Sequence, residues 1–255
     1  MKALKEAPAR SYPIPFSKFN PIQEADVCWP DELINKEWTI PFTYKINQYG
    51  LRYTCQSKPK NICFVGCSHT FGHGMPQEYS YPEVLTKKLG DEWQCINVSQ
   101  PGSGPDAQMI NLSWAIDTFK LDTVVWYMST PLRHIVNNGY IHCYVPPNAR
   151  GIFGEEKNKR FILSESDLED TYYTKTYWQL HTIFQLLKQK NIKTYFRCWD
   201  GKLHHELKDM MNLFNVIEIP DMKRIDDARD GMHRGVLSHE DFANRILEVI
   251  RSNGI

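Results

Sequence analysis

A chain of 255 residues is long enough to bury one large core, and a single decorated domain is the expectation. Thirty basic residues balance thirty acidic ones, so no global field draws the protein toward nucleic acid or an anionic membrane surface. No apolar run approaches the roughly 20 residues of a membrane helix. The opening stretch, with Lys2, Lys5, Glu6 and Arg10 among prolines, lacks the apolar core of a secretory signal. The sequence therefore reads as cytoplasmic, or exported without a visible signal.

Residues 1–60 carry scattered aromatics, prolines at 8, 13, 15, 21, 30, 41 and 59, and little periodicity. They read as an irregular arm wrapping a core that begins near Asn61. From there short apolar runs alternate with amphipathic stretches. Ile62–Val65 predicts a strand ending at Gly66, and Tyr81–Leu89 a helix stopped by Gly90. Cys95–Val98 predicts a second strand and Asp106–Phe119 a second helix. Thr123–Met128 is apolar on both faces, as a central parallel strand should be. Residues 130–166, with Pro146–Pro147, Gly151 and Gly154, break the rhythm and read as an inserted lid or substrate loop. The alternation resumes with a helix over Leu168–Lys190, a strand over Lys193–Arg197, a helix over Leu203–Met211 and a strand over Val216–Ile219. A last helix is expected over Ser238–Arg251, with Ser238 as N-cap and Asp241 completing a capping box. The pattern predicts a three-layer α/β/α, flavodoxin-like domain over 61–255 with about five parallel strands. Its ligands should bind beyond the strands' carboxyl ends.

Seven cysteines, an odd number with no CxxC pair, fit free thiols in a reducing compartment better than a disulfide framework or zinc site. Chemistry concentrates in three places. Gly66-Cys67-Ser68-His69-Thr70-Phe71-Gly72 follows the first strand, where flanking glycines permit a turn that exposes the serine. Asp230-Gly-Met-His233 precedes the last helix and supplies a base with a carboxylate to orient it. Asn97-Val-Ser-Gln-Pro-Gly102 follows the second strand and offers a glycine N–H to a bound oxygen. Each alone has an ordinary reading: a helix-capping serine, a solvated loop aspartate with a surface histidine, a simple turn. The topology brings all three to one edge.

Together these blocks resemble the SGNH/GDSL hydrolase superfamily. Gly235-Val-Leu-Ser238-His239 and Phe242-Ala243 fit the family's ending, and Asn47-Gln-Tyr-Gly50-Leu-Arg52 resembles the lead-in of some members. The resemblance spans about residues 45 to 250. It implies Ser68 as nucleophile, His233 as base, Asp230 as orienting carboxylate, and the N–H groups of Ser68 and Gly102 as oxyanion donors. It also implies ester hydrolysis without metal or cofactor, on acyl or acetyl groups of carbohydrates or lipids. Three departures stand out. Cys67 replaces the signature aspartate, Arg234 replaces the usual proline, and the third block lacks its oxyanion asparagine. Thr130, Ser129 or Asn137 are the candidate substitutes. His69 and Arg133 are candidate substrate-binding residues, Arg133 for a carboxylate or sulfate. His204-His205 reads as helix surface.

Rival readings are a Cys67 hydrolase, a metal site drawn from Asp226, Asp227, Asp230, His233 and His239, and a non-catalytic carbohydrate-binding or structural protein on the same fold. In the last, Tyr140, Tyr144 and Phe153 would stack on sugar rings.

Overall fold

The first predicted strand is β1, Lys60–Gly66. This structure, a computed structural model, describes Tyr44, Leu51, Arg52, residues 58–131, strands at 133–136 and 140–143, and residues 165–254. After β1 come a short helix α1, Ser68–Phe71, then α2, Tyr81–Leu89, β2, Trp93–Asn97, and α3, Pro105–Thr118. The central strand β3 is Thr123–Met128. β4, Arg133–Val136, and β5, Tyr140–Cys143, form an antiparallel pair within the stretch expected to be a loop. α4, Glu165–Gln189, β6, Lys193–Cys198, α5, Gly201–Glu206, α6, Lys208–Phe214, β7, Ile217–Glu218, and α7, Val236–Ser252, complete the described order.

The main sheet is wholly parallel in the order β2-β1-β3-β6-β7. Every residue of β3 is buried because helices cover both faces. On one face, Val65, Val124, Trp126 and Phe196 pack with Leu112 of α3, Phe184 of α4 and Met211 of α6. On the other, Phe64, Val125 and Tyr127 pack with Leu85 of α2 and Phe242 and Ile246 of α7. The order reverses between β1 and β3, and the crevice beyond that switch point is where such sheets bind ligands.

Three local expectations are corrected. The helix expected over Leu203–Met211 is two helices meeting at Leu207, and the first begins earlier, at Gly201, because Asp200 caps it by accepting from Leu203 N at 3.0 Å. Ser238 does not cap α7. The helix starts two residues earlier, and the Asp226 carboxylate accepts from Leu237 N at 3.0 Å and Ser238 N at 2.8 Å. A carboxylate reaching from another loop satisfies the orphan amides and suits the helix dipole. Asp241 instead accepts from Arg245 at 2.8 Å. His204 is buried rather than on the surface, 2.8 Å from the Glu218 carboxylate.

Of the expected arm, Tyr44, Leu51 and Arg52 are described, and the rest of 1–57 lies outside the described residues. Among the described residues no helix is long and apolar enough to cross a membrane.

Candidate active site

Ser68 follows the carboxyl end of β1 by two residues and opens α1, with Cys67 in the N-cap position. It therefore stands on the first turn of a helix, where backbone N–H groups have no intrahelical acceptor. Gly66 has to be glycine here: a Cβ would meet Thr70 Oγ1 at 2.0 Å and Tyr127 O at 2.7 Å, so a side chain would push α1 off the sheet. Asn97, ending β2, ties the next loop to this turn by donating to Thr70 O at 3.0 Å. Gln100 N and Ser103 Oγ both donate to Gly66 O, at 3.3 and 2.9 Å. Gly102 lies between them with φ of +76°, a conformation glycine adopts without steric cost.

The β3 end is locked to the same loop. Ser129 Oγ donates to Ser103 O at 2.8 Å and accepts from Gln108 Nε2 at 2.9 Å, and Gln108 Oε1 accepts from Trp126 Nε1 at 2.8 Å. Ser129 is fully buried with its hydroxyl proton committed, so it is not a substitute for the absent asparagine. Thr130, next along, is half-buried and stays a candidate. Arg133 and His134 lie on β4, where only the backbone is described; Asn137, Tyr144 and Phe153 lie outside the described residues.

Asp230 and His233 sit on the loop between β7 and α7. Asp230 Oδ1 accepts from Met232 N at 3.0 Å and His233 N at 2.9 Å, which shapes the loop around the carboxylate. Its Oδ2 is 2.6 Å from His233 Nδ1. A carboxylate only accepts, so Nδ1 carries the proton and Nε2 is left unprotonated. Burial raises the Asp230 carboxyl, but the hydrogen bonds and charge of His233 outweigh it and bring it down to about 2. The His233 ring lies between the rings of His69 and His73, at 5.3 and 4.8 Å, and both belong to the segment carrying Ser68. Among the described residues no hydrogen bond joins Ser68 to His233; the Ser68 hydroxyl contacts Cys67 Sγ at 3.7 Å. Such bonds commonly tighten only when substrate arrives. Cys67 itself is completely buried, with its side chain against the Ser68 hydroxyl.

The metal set drawn from the sequence does not assemble. Asp226 caps α7, Asp227 pairs with Arg224 at 2.6 Å, and His239 Nδ1 accepts from Tyr81 N at 3.0 Å. His73 instead joins Asp230 and His233, with potential ligand atoms within 4.8 Å of one another. The 2.6 Å separation inside the dyad is that of a shared proton. Two ligands of a tetrahedral zinc, each bonded at about 2.0–2.1 Å, stand roughly 3.3 Å apart.

Two residues outside the three motif cores, Arg52 and His73, stand against them. Arg52 is buried and donates to Phe71 O at 3.0 Å, Gly72 O at 2.6 Å and Met75 O at 2.6 Å, clamping the segment after Ser68. Gly74 O in turn accepts from Arg229 N at 3.0 Å, next to Asp230. His73 Nε2 lies 3.7 Å from Asp230 Oδ2, too far for a hydrogen bond.

Two histidines held neutral in the folded chain should make it acid-sensitive. Burial, then the charges of Arg52, His233 and Arg234, lower His239 to about 3; burial and His233 lower His73 to about 4. The unfolded chain therefore binds more protons below about 6.5, and stability falls as pH drops toward those values. For Asp230 the stabilisation is present above the ordinary value of 3.8 and is lost as pH falls toward 2, the same direction. Thermal unfolding at constant ionic strength should show Tm decreasing steadily from pH 7 to pH 4. His239→Asn should flatten that slope, because a buried neutral histidine contributes up to about 1.4 kcal/mol per pH unit in its window. An unchanged slope would mean that His239 takes up its proton in the folded state.

No protein-family profile and no curated protein sequence matches the chain. Solved structures do. The psychrotrophic esterase EstA from Pseudoalteromonas sp. gives a TM-score of 0.50 at 12% identity, over 76% of this chain and 97% of its own. TesA gives 0.49 at 10%, over 76% and 99%. A member of the lipolytic protein G-D-S-L family from Veillonella parvula gives 0.45 at 15%, over 75% and 98%. At 12% identity the likeness to EstA is one of fold, and it agrees with the strand order and layering described above. This chain has the fold of the SGNH-type hydrolases.

Proposed function

We propose that the chain is a serine hydrolase that cleaves an ester, an O-acetyl or short acyl group on a carbohydrate, through Ser68, His233 and Asp230. The observation that carries this reading is the 2.6 Å Asp230–His233 dyad, whose imidazole lies against the segment that carries Ser68. His233 Nε2 takes the Ser68 hydroxyl proton as Oγ attacks the acyl carbon. The N–H groups of Ser68 and Gly102, with Thr130 as third donor, hold the oxyanion. The tetrahedral species collapses, the C–O bond to the alcohol breaks, and His233 returns the proton to the leaving oxygen. Water then attacks the Ser68 acyl ester by the same route, releasing the acid and restoring the enzyme. The absent third-block asparagine costs on the order of 10²–10³ in rate unless Thr130 replaces it.

EstA is described as inhibited by monoethylphosphonate, which makes a phosphonate-type probe the natural test. A fluorophosphonate should label wild-type protein at Ser68, and the label should disappear in Ser68→Ala and His233→Ala. A folded wild-type protein that takes no label would overturn the hydrolase. That result would favour a non-catalytic carbohydrate-binding or structural protein on the same fold.

A further inference from the structure

The residue after the candidate base is an arginine, and its guanidinium is turned back onto the nucleophile helix. Arg234 Nη1 donates to His69 Nε2 at 2.9 Å, and His69 directly follows Ser68. An arginine only donates, so Nε2 of His69 is its unprotonated nitrogen and the ring proton sits on Nδ1. The His69 ring packs on Trp199, centroids 4.8 Å apart, and Trp199 packs on Tyr127 at 5.6 Å. These side chains belong to α1 and to the carboxyl ends of β3 and β6, on the same edge as Asp230 and His233.

Arg234 has no carboxylate partner within ion-pair distance among the described residues, although acidic groups stand nearby. Asp227 is committed to Arg224 at 2.6 Å, Asp230 to His233 at 2.6 Å, and Asp221 Oδ1 accepts from Tyr127 Oη at 2.5 Å. Arg234 Nε is shielded from solvent and has no hydrogen-bond partner among the described residues. With Nη1 spent on His69, the edge left over is Nε with Nη2. That edge is one of the two forks on which a guanidinium grips a carboxylate with parallel N–H···O bonds. A half-buried cation whose Nε lacks an acceptor, set one residue from His233 and one contact from the residue after Ser68, has the chemistry to receive an anion.

We propose that Arg234 binds an anionic group of the substrate, so that the ester cleaved at Ser68 belongs to an acid-bearing molecule such as an acylated uronic acid. This rests on the hydrolase reading for the word substrate, but the anion site itself does not. His69 holds the guanidinium in place, and the Trp199 ring supports His69 in turn.

The test uses matched acyl compounds that differ in one carboxylate. Hydrolysis of 3-acetoxybenzoate is compared with that of its methyl ester, in wild type, Arg234→Gln and Arg234→Lys. Binding of 3-acetamidobenzoate and its methyl ester, which are not cleaved, is measured by calorimetry on the same proteins. Wild type should prefer the charged member of each pair by about 10- to 100-fold, the range for hydrogen bonds between charged groups. Arg234→Gln should erase the preference, and Arg234→Lys, which keeps the charge but not the fork, should retain part of it. Near-UV circular dichroism establishes that each variant is folded. Equal treatment of charged and neutral compounds by wild type overturns the proposal, as does a preference that survives in Arg234→Gln. Selective binding of the acid without hydrolysis of either ester would support the anion site while removing the hydrolase. Labelling of Ser68 with no charge preference would do the reverse.

Discussion

Asp230→Asn is expected to lower kcat for ester cleavage by about 10⁴-fold while leaving the fold intact. The reason lies in how the two carboxylate oxygens are used. Oδ1 accepts from the amides of Met232 and His233, at 3.0 and 2.9 Å, and an asparagine oxygen can do the same. Oδ2, 2.6 Å from His233 Nδ1, becomes an NH₂ group, which donates where the carboxylate accepted. The imidazole must then present an unprotonated Nδ1 and carry its proton on Nε2, the tautomer that cannot take a proton from Ser68. Fluorophosphonate labelling should slow by the same factor, since it needs the same activated hydroxyl. Near-wild-type kcat in Asp230→Asn would show that His233 is not the base, whatever its distance from the carboxylate.

The second large effect is on stability. Arg52→Met should destabilise the protein by at least about 3 kcal/mol, because three carbonyls lose a charged donor and two or more stay buried without replacement. Burial lowers the guanidinium to about 10, opposed by Tyr44 and by Glu78 and Glu83, so it still carries its charge at neutral pH. Tyr44 adds a face for it, 4.7 Å from ring centroid to guanidinium carbon, and accepts from Gly74 N at 2.7 Å. The clamp orders the segment that leads from Ser68 to the Asp230 loop. Arg52→Met should therefore also slow labelling of Ser68 under conditions where the variant is folded. Urea unfolding supplies the stability difference; a change within about 0.5 kcal/mol would show that the clamp is dispensable.

Much of this protein is legible in its sequence. Runs such as Thr123–Met128 have to be strands buried on both sides, since no other placement hides six consecutive apolar or weakly polar side chains between two helical layers. Alternation of such runs with amphipathic stretches dictates a parallel sheet, and a parallel sheet puts every strand's carboxyl end on one edge. That geometry places the segments bearing Ser68, Gly102 and the Asp230–His233 pair on a common edge from the pattern alone. The Asp230–His233 contact needs only three residues of local chain, so it too was within reach.

Other features depend on partners far apart in the chain, and periodicity holds no record of them. Asp226 displaces Ser238 as the cap of α7 because a loop eleven or twelve residues upstream brings its carboxylate to the helix start. Ser129 is spent because Ser103 and Gln108 meet it across the sheet edge. His204, adjacent to an exposed histidine, is buried because Glu218 comes beside it. Arg52 acquires its meaning only when the segment after Ser68 folds over it, and Arg234 only when His69, 165 residues away, takes its proton donor. The layers and the edge at which the polar motifs collect are written in the local hydrophobic pattern. Which polar groups at that edge are already satisfied depends on packing between residues far apart in the chain, such as Ser129 with Ser103 and Arg234 with His69.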